Sequence, residues 1–313
     1  MKCERKKKMK NEFFENYKEL VTETRNEKSM SLDEMSALEV AQLMNRLDAE
    51  IPPAVEKALP QIAAAAERIA ETYRNGGRLV YCGAGTSGRL GILDAVECFP
   101  TFGAGKDMVI ARIAGGEKAL LEAVEGAEDD AELGRRDMQD ISLTEKDILV
   151  TISASGSALY CIGALRYAKS IGAQTVGISC VERPAFTSFC DILITTVAGP
   201  EILTGSTRLR AGTATKMVLN MLSTISMVRF GKVYKNLMVD MIPTNRKLEN
   251  RAVRILTEAT GVSPETAAEQ LRKCNGNMKA AIVCILTGAE PEKAMTVLEA
   301  SGGFVRKAIA KLV

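Results

Sequence analysis

Five short apolar runs recur between residues 78 and 196, and helical segments separate most of them. They are Arg78–Cys82, Met108–Ile113, Asp147–Ser153, Gln174–Ser179 and Ile192–Thr196. Strands joined through helices cross over rather than fold back as hairpins, so they pair in parallel with helices covering both faces. The pattern predicts an α/β chain: a three-layer αβα fold around a mostly parallel five-stranded sheet. In an open sheet of this kind ligands bind at the carboxyl edge of the strands. Two of the five runs end in Gly/Ser/Thr loops at that edge.

The first loop is Gly83-Ala84-Gly85-Thr86-Ser87-Gly88-Arg89. It fits G-x-G-x-x-G between a strand and a helix, a moderate dinucleotide signal. The acidic residue that would hold a ribose is missing, because the second strand runs out into Ala114-Gly115-Gly116. The second loop is Ser153-Ala154-Ser155-Gly156-Ser157. A nicotinamide cofactor has no use for it, whereas a phosphorylated small molecule can use both loops. Backbone N–H groups at helix starts and the hydroxyls of Thr86, Ser87, Ser153, Ser155 and Ser157 all donate to phosphate oxygens. The plainer alternative is that these serines only cap two helices.

The flanks read as helical. Ser31-Leu32-Asp33-Glu34 carries a helix-start signature, and Val40, Leu43, Met44 and Leu47 follow with one-face spacing. Pro52-Pro53 predicts a break, and a second helix is expected from Ala54 to Arg74, closed by Asn75-Gly76-Gly77. Beyond Pro243 no strand is expected. Ser263-Pro264-Glu265, Lys279–Leu286 and Pro291–Ala300 mark helices in a compact unit of three or four over residues 250–313. The expected organisation is a basic tail over 1–20, an α/β domain with its N-terminal helices over 21–245, and this helical domain over 250–313.

Composition then limits the chemistry. The 313 residues include no histidine. That excludes a Ser-His-Asp triad, a Cys-His pair, a His metal cluster and a His acid or base. Carboxylates become the leading acid/base candidates: Glu97, near the end of the helix that the first loop opens, and the cluster Glu125-Gly126-Ala127-Glu128-Asp129-Asp130. Taken alone, such a cluster reads as a solvated surface. The net charge of +2 argues against a nucleic-acid field. Eight cysteines form no CxxC pair and read as small buried hydrophobes of a reducing compartment. No apolar stretch reaches the roughly 18 residues of a membrane span. The basic start, Met1–Lys10, has no apolar core after it, so a solvated tail rather than a secretory signal is expected, and a cytoplasmic location with it.

Several runs resemble one family. They are Leu20-Val21-Thr22-Glu23-Thr24-Arg25-Asn26, Gly83–Gly91, Gly115-Gly116-Glu117, Val124–Asp129, Leu203–Arg208, Lys216–Thr224 and Asn236–Asp240. Together they resemble the N-acetylmuramic acid 6-phosphate etherases over roughly residues 20–313. The resemblance implies a sugar isomerase (SIS) fold, similar in its core to the glucokinase regulatory protein, with a helical C-terminal part. It implies cleavage of the D-lactyl ether at C3 of the sugar phosphate, giving N-acetylglucosamine 6-phosphate and D-lactate, with no metal and no cofactor. It also implies Glu97 as the acid and Glu128 as the second catalytic carboxylate. Gly85, Thr86, Ser87, Ser153, Ser155, Gly156, Ser157, Ser206 and Lys216 would bind the substrate.

A regular helix from Ser87 puts Glu97 about 15 Å from the phosphate loop, which predicts a homodimer whose site is shared between subunits. The sequence departs from the family at Ser157-Ala158, where Arg-Thr is usual, and at Lys235, where glycine is usual. A phosphosugar sensor without catalysis and a phosphosugar isomerase remain alternatives at this stage, with a dinucleotide-binding enzyme a distant third.

Overall fold

A computed structural model describes residues 20–241 and 246–313, so the basic start of the chain lies outside the described residues. Five strands form one sheet: β1 (Leu79–Gly83), β2 (Val109–Ile113), β3 (Ile148–Ile152), β4 (Gln174–Ser179) and β5 (Ile192–Thr195). Their order is β2-β1-β3-β4-β5 and every pairing is parallel, so the sheet is wholly rather than mostly parallel. Each expected run falls on a strand, with its ends shifted by a residue at most.

Among the described residues seven helices precede the C-terminal unit: α1 (Ala37–Asp48), α2 (Ile51–Glu56), α3 (Leu59–Arg74), α4 (Gly85–Phe102), α5 (Ala131–Asp140), α6 (Leu159–Ser170) and α7 (Arg210–Arg229). Alternation along the strands feeds two cores. Leu79 and Tyr81 enter a layer with α3, α4 and α7, while Val80 and Cys82 enter one with α5 and α6. Ile62, Ile69, Leu79 and Ile148 are wholly buried. Each such side chain stabilises the fold by roughly 1.5–3 kcal/mol relative to exposure.

The helix boundaries correct the sequence reading in two places. Ser31 caps only a short 3-10 turn, Leu32–Glu34, and makes no side-chain cap bond. Ser36-Ala37-Leu38-Glu39 repeats the same signature five residues later and forms the true capping box. There Ser36 Oγ accepts from the Glu39 N–H, and the Glu39 carboxylate accepts from the Ser36 N–H at 2.8 Å. Pro52 and Pro53 do not break the chain. They lie in the first turn of α2, where a missing N–H costs nothing, so the break falls just before them, between α1 and α2, and a second falls between α2 and α3.

Beyond the linker come five helices rather than three or four: α8 (Arg246–Thr260), α9 (Pro264–Lys273), α10 (Met278–Thr287), α11 (Pro291–Glu299) and α12 (Val305–Ala310). They bury an apolar cluster of their own, which Tyr234, Val239 and Met241 of the preceding segment join. Asp240 holds that segment to α10 through Lys279 Nζ at 2.6 Å and also pairs with Lys232 Nζ at 3.1 Å. Among the described residues no helix is long and apolar enough to cross a membrane. The seven described cysteines are all free, and six of them are buried.

Candidate active site

The glycines of the first loop explain how a helix can start so close to a strand end. A Cβ on Gly88 would lie 2.7 Å from the Gly83 carbonyl oxygen and 2.6 Å from Ile113 Cγ1, so neither layer could approach. Gly85, at φ +53°, turns the chain from β1 into α4. In the second loop Gly156, at φ +68°, packs directly against Pro184. The serines do not cap the helices: the N-cap positions of α4 and α6 are Ala84 and Ala158, with no side-chain cap bond at either. Ser155 Oγ and Ser157 Oγ are bonded to each other at 2.7 Å instead, within reach of a ligand.

Both loops open into one cavity of about 570 Å³. Gly85, Thr86, Ser87, Ser153, Ser155 and Ser157 line it, and so does Glu128 from the 3-10 turn Ala127–Asp129. The acidic cluster is therefore not a plain solvated surface. Hydroxyls able to bind a phosphate and a carboxylate able to transfer a proton share one concave space. Among the described residues no group of three or more His, Cys, Asp or Glu side chains is arranged to hold a metal ion.

Four other residues picked out from the sequence lie off the cavity wall. Gly156 is buried beneath its loop and shapes it rather than lining the space. Ser206 sits between Gly205 and Thr207, which do line it. Lys216 is exposed on α7, and its charge acts on Asp94 rather than on the cradle. Glu97 is exposed on α4, ten residues beyond Ser87 and thus about 15 Å further along the helix axis. Leu93, Val96, Glu97 and Pro100 form an i, i+3, i+4, i+7 stripe, and all four are exposed, Leu93 by 52% and Val96 by 63%.

The buried flank of α4 carries Asp94, packed against α7. Its carboxylate accepts from Tyr81 Oη at 2.9 Å, Ser223 Oγ at 3.0 Å and Asn220 Nδ2 at 3.3 Å. Burial pushes its carboxyl up to about 6, although the hydrogen bonds and the Lys216 charge favour the ionised form.

Sequence reasoning missed Glu23, Asp129, Gly205 and Thr207 as cavity residues. For Glu23 and the 205–207 segment the family-like runs Leu20–Asn26 and Leu203–Arg208 were a signal, but no spacing argument connects positions so far apart. Tertiary bonds make the connection. Asn26 Nδ2 donates to the Pro200 carbonyl at 3.1 Å and Ser29 Oγ to the Ile202 carbonyl at 2.7 Å. The buried Arg210 ties the same loop to α1 and the residues after it through Pro200 O, Leu47 O and Glu50.

A parallel sheet with two hydroxyl-lined loops at its carboxyl edge defines an SIS-domain protein, and sequence profiles agree. The glucokinase regulatory protein N-terminal SIS domain matches residues 61–169, and the SIS domain matches residues 124–225. The N-acetylmuramic acid 6-phosphate etherase of Halalkalibacterium halodurans is 52% identical over 293 residues, covering 94% of this chain and 98% of its own. Etherase 2 of Lactiplantibacillus plantarum is 52% identical over 294 residues (94% and 99%), and that of Geobacillus sp. 53% over 290 (93% and 98%). The chain belongs to the N-acetylmuramic acid 6-phosphate etherase family, whose members are carbon–oxygen lyases.

Proposed function

We propose that this chain cleaves the D-lactyl ether of N-acetylmuramic acid 6-phosphate, releasing D-lactate and N-acetylglucosamine 6-phosphate, as a cytoplasmic enzyme of amino-sugar recycling. The observation that carries the reading at the level of the site is the single cavity joining both Gly/Ser loops to Glu128. Thr86, Ser87, Ser153, Ser155 and Ser157 hold the phosphate. In the open-chain sugar the C1 aldehyde acidifies the C2 proton, and Glu128 removes it. The C3–O bond then breaks as an acid protonates the departing lactate, and water adds across the C2–C3 double bond.

Glu97, which matches the family's acid, cannot serve the cradle of its own chain from about 15 Å along α4. Its exposed stripe with Leu93, Val96 and Pro100 suits contact with a second copy. We therefore infer a homodimer in which the Glu97 of one protomer completes the partner's site.

Incubation with N-acetylmuramic acid 6-phosphate and an enzymatic assay for D-lactate tests the activity, and an absence of D-lactate would refute it. Glu128→Gln and Glu97→Gln are each expected to lose about 10²–10⁴-fold in kcat while keeping the fold. Mixing Glu97→Gln chains with Ser87→Asp chains is expected to restore about a quarter of the wild-type rate, because half of the dimers carry one intact shared site. Mixtures no more active than their components would refute the shared site.

A further inference from the structure

Among the described residues three ionisable side chains line the cavity: Glu23, Glu128 and Asp129. They come from two sides of the sheet. Glu128 and Asp129 sit in the 3-10 turn that packs on α6, in the layer of α5 and α6. Glu23 belongs to the N-terminal segment held on the 200–207 loop, which leads into α7 in the layer of α3 and α4. A Cβ on Gly205 would stand 3.5 Å from Glu23 Oε2, an ordinary contact distance, so the carboxylate lies directly against that loop. Thr22 and Asn26, on either side of Glu23, are buried, so the segment is fixed where it presents this side chain. Glu23 itself is half-exposed and takes part in no ion pair with a described residue.

The reaction also includes a ring-opening proton transfer, separate from the C2 deprotonation by Glu128 and the protonation of the departing lactate. A hexose phosphate is mostly a closed ring, and elimination requires the C1 aldehyde. Opening the ring moves a proton from the C1 hydroxyl to the ring oxygen. We propose that Glu23 is the catalytic residue for this step. Its carboxylate takes the O1 proton, the O1 electron pair forms the C1=O1 bond, the C1–O5 bond breaks with its electrons passing to O5, and the carboxyl returns the same proton to O5. Charge and atoms balance without a co-reactant. The placement fits: a sugar anchored by its phosphate between the two loops meets Glu128 from one side of the sheet edge and Glu23 from the other. Among the described residues no lysine, cysteine, tyrosine or arginine lines the cavity to compete for the role. Asp129 shares the Glu128 side.

This assignment rests on the etherase reading, and one experiment separates the two. Wild-type enzyme must release D-lactate from N-acetylmuramic acid 6-phosphate; if it does not, the etherase reading fails whatever Glu23 does. Glu23→Gln is expected to lower kcat about 10²–10⁴-fold with KM changed less than about threefold. The same variant is expected to hydrate the open-chain 2,3-unsaturated aldehyde at the wild-type rate, because that compound needs no ring opening. Glu23→Asp should recover part of the activity. The proposal is overturned if Glu23→Gln keeps its kcat, if it loses hydration in parallel with lactate release, or if Asp129→Asn shows the ring-opening defect instead.

Discussion

Asp94→Asn should remove a pH dependence from the stability of the fold. Asp94 is 7% exposed, and its partners Tyr81, Ser223 and Asn220 come from β1 and α7. Burial raises its carboxyl from 3.8 to about 6 despite these bonds. Below pH 3.8 the folded and unfolded chains both carry the proton. Between 3.8 and about 6 the unfolded chain releases it while the folded chain keeps it, so stability falls as pH rises through that window and levels off above it. The whole effect is about 3 kcal/mol, from about 1.4 kcal/mol for each tenfold difference in proton affinity. Asparagine keeps an oxygen for Ser223 and Asn220 and turns its amide toward the Tyr81 oxygen, but has no proton to lose. Urea unfolding followed by circular dichroism, at fixed protein concentration from pH 4 to 7.5, gives the difference between variant and wild type. Other carboxylates, Asp137 with its burial-raised carboxyl among them, are present in both chains and cancel. The variant is expected to gain roughly 3 kcal/mol relative to wild type across the range, and a gain below about 1 kcal/mol would refute the reasoning.

Two further substitutions test the backbone. Lys235 holds φ +55°, a left-handed conformation that costs a side-chain-bearing residue energy. Lys235→Gly is therefore expected to stabilise the chain by about 1 kcal/mol in the same unfolding assay, less the looser unfolded state and the Lys235 contact with the Tyr234 ring. Gly156→Ala would place a Cβ 2.1 Å from Pro184 Cβ at a φ of +68°. A loss of roughly 2–4 kcal/mol is expected, and sugar-phosphate affinity, measured by calorimetry, should fall with it.

The strand runs were legible because strands buried on both faces must be short, apolar and β-rich, whatever surrounds them. The two loops were legible for a similar reason, since only glycine admits the Gly83–Gly88 contact and the Gly156 turn. Helix starts were less secure. Ser31 and Ser36 carry the same signature, and local chemistry alone does not say which one leads into a helix. The stripe Leu93-Val96-Glu97-Pro100 shows the same limit, because helical spacing predicts a shared face but not what that face meets.

By itself the sequence determined the α/β class, the two Gly/Ser/Thr loops at the sheet edge and, through its lack of histidine, the exclusion of histidine chemistry. These follow from residue type and near-neighbour spacing. Only the tertiary structure decided which carboxylates meet. It brought Glu128 to both loops, delivered Glu23 across the 200–207 loop, and left Glu97 facing outward on α4. Glu23 and Glu128 are 105 positions apart in the chain, and their proximity rests on bonds such as Asn26 to Pro200 and Ser29 to Ile202. Such long-range contacts depend on how whole layers pack, which no local pattern encodes.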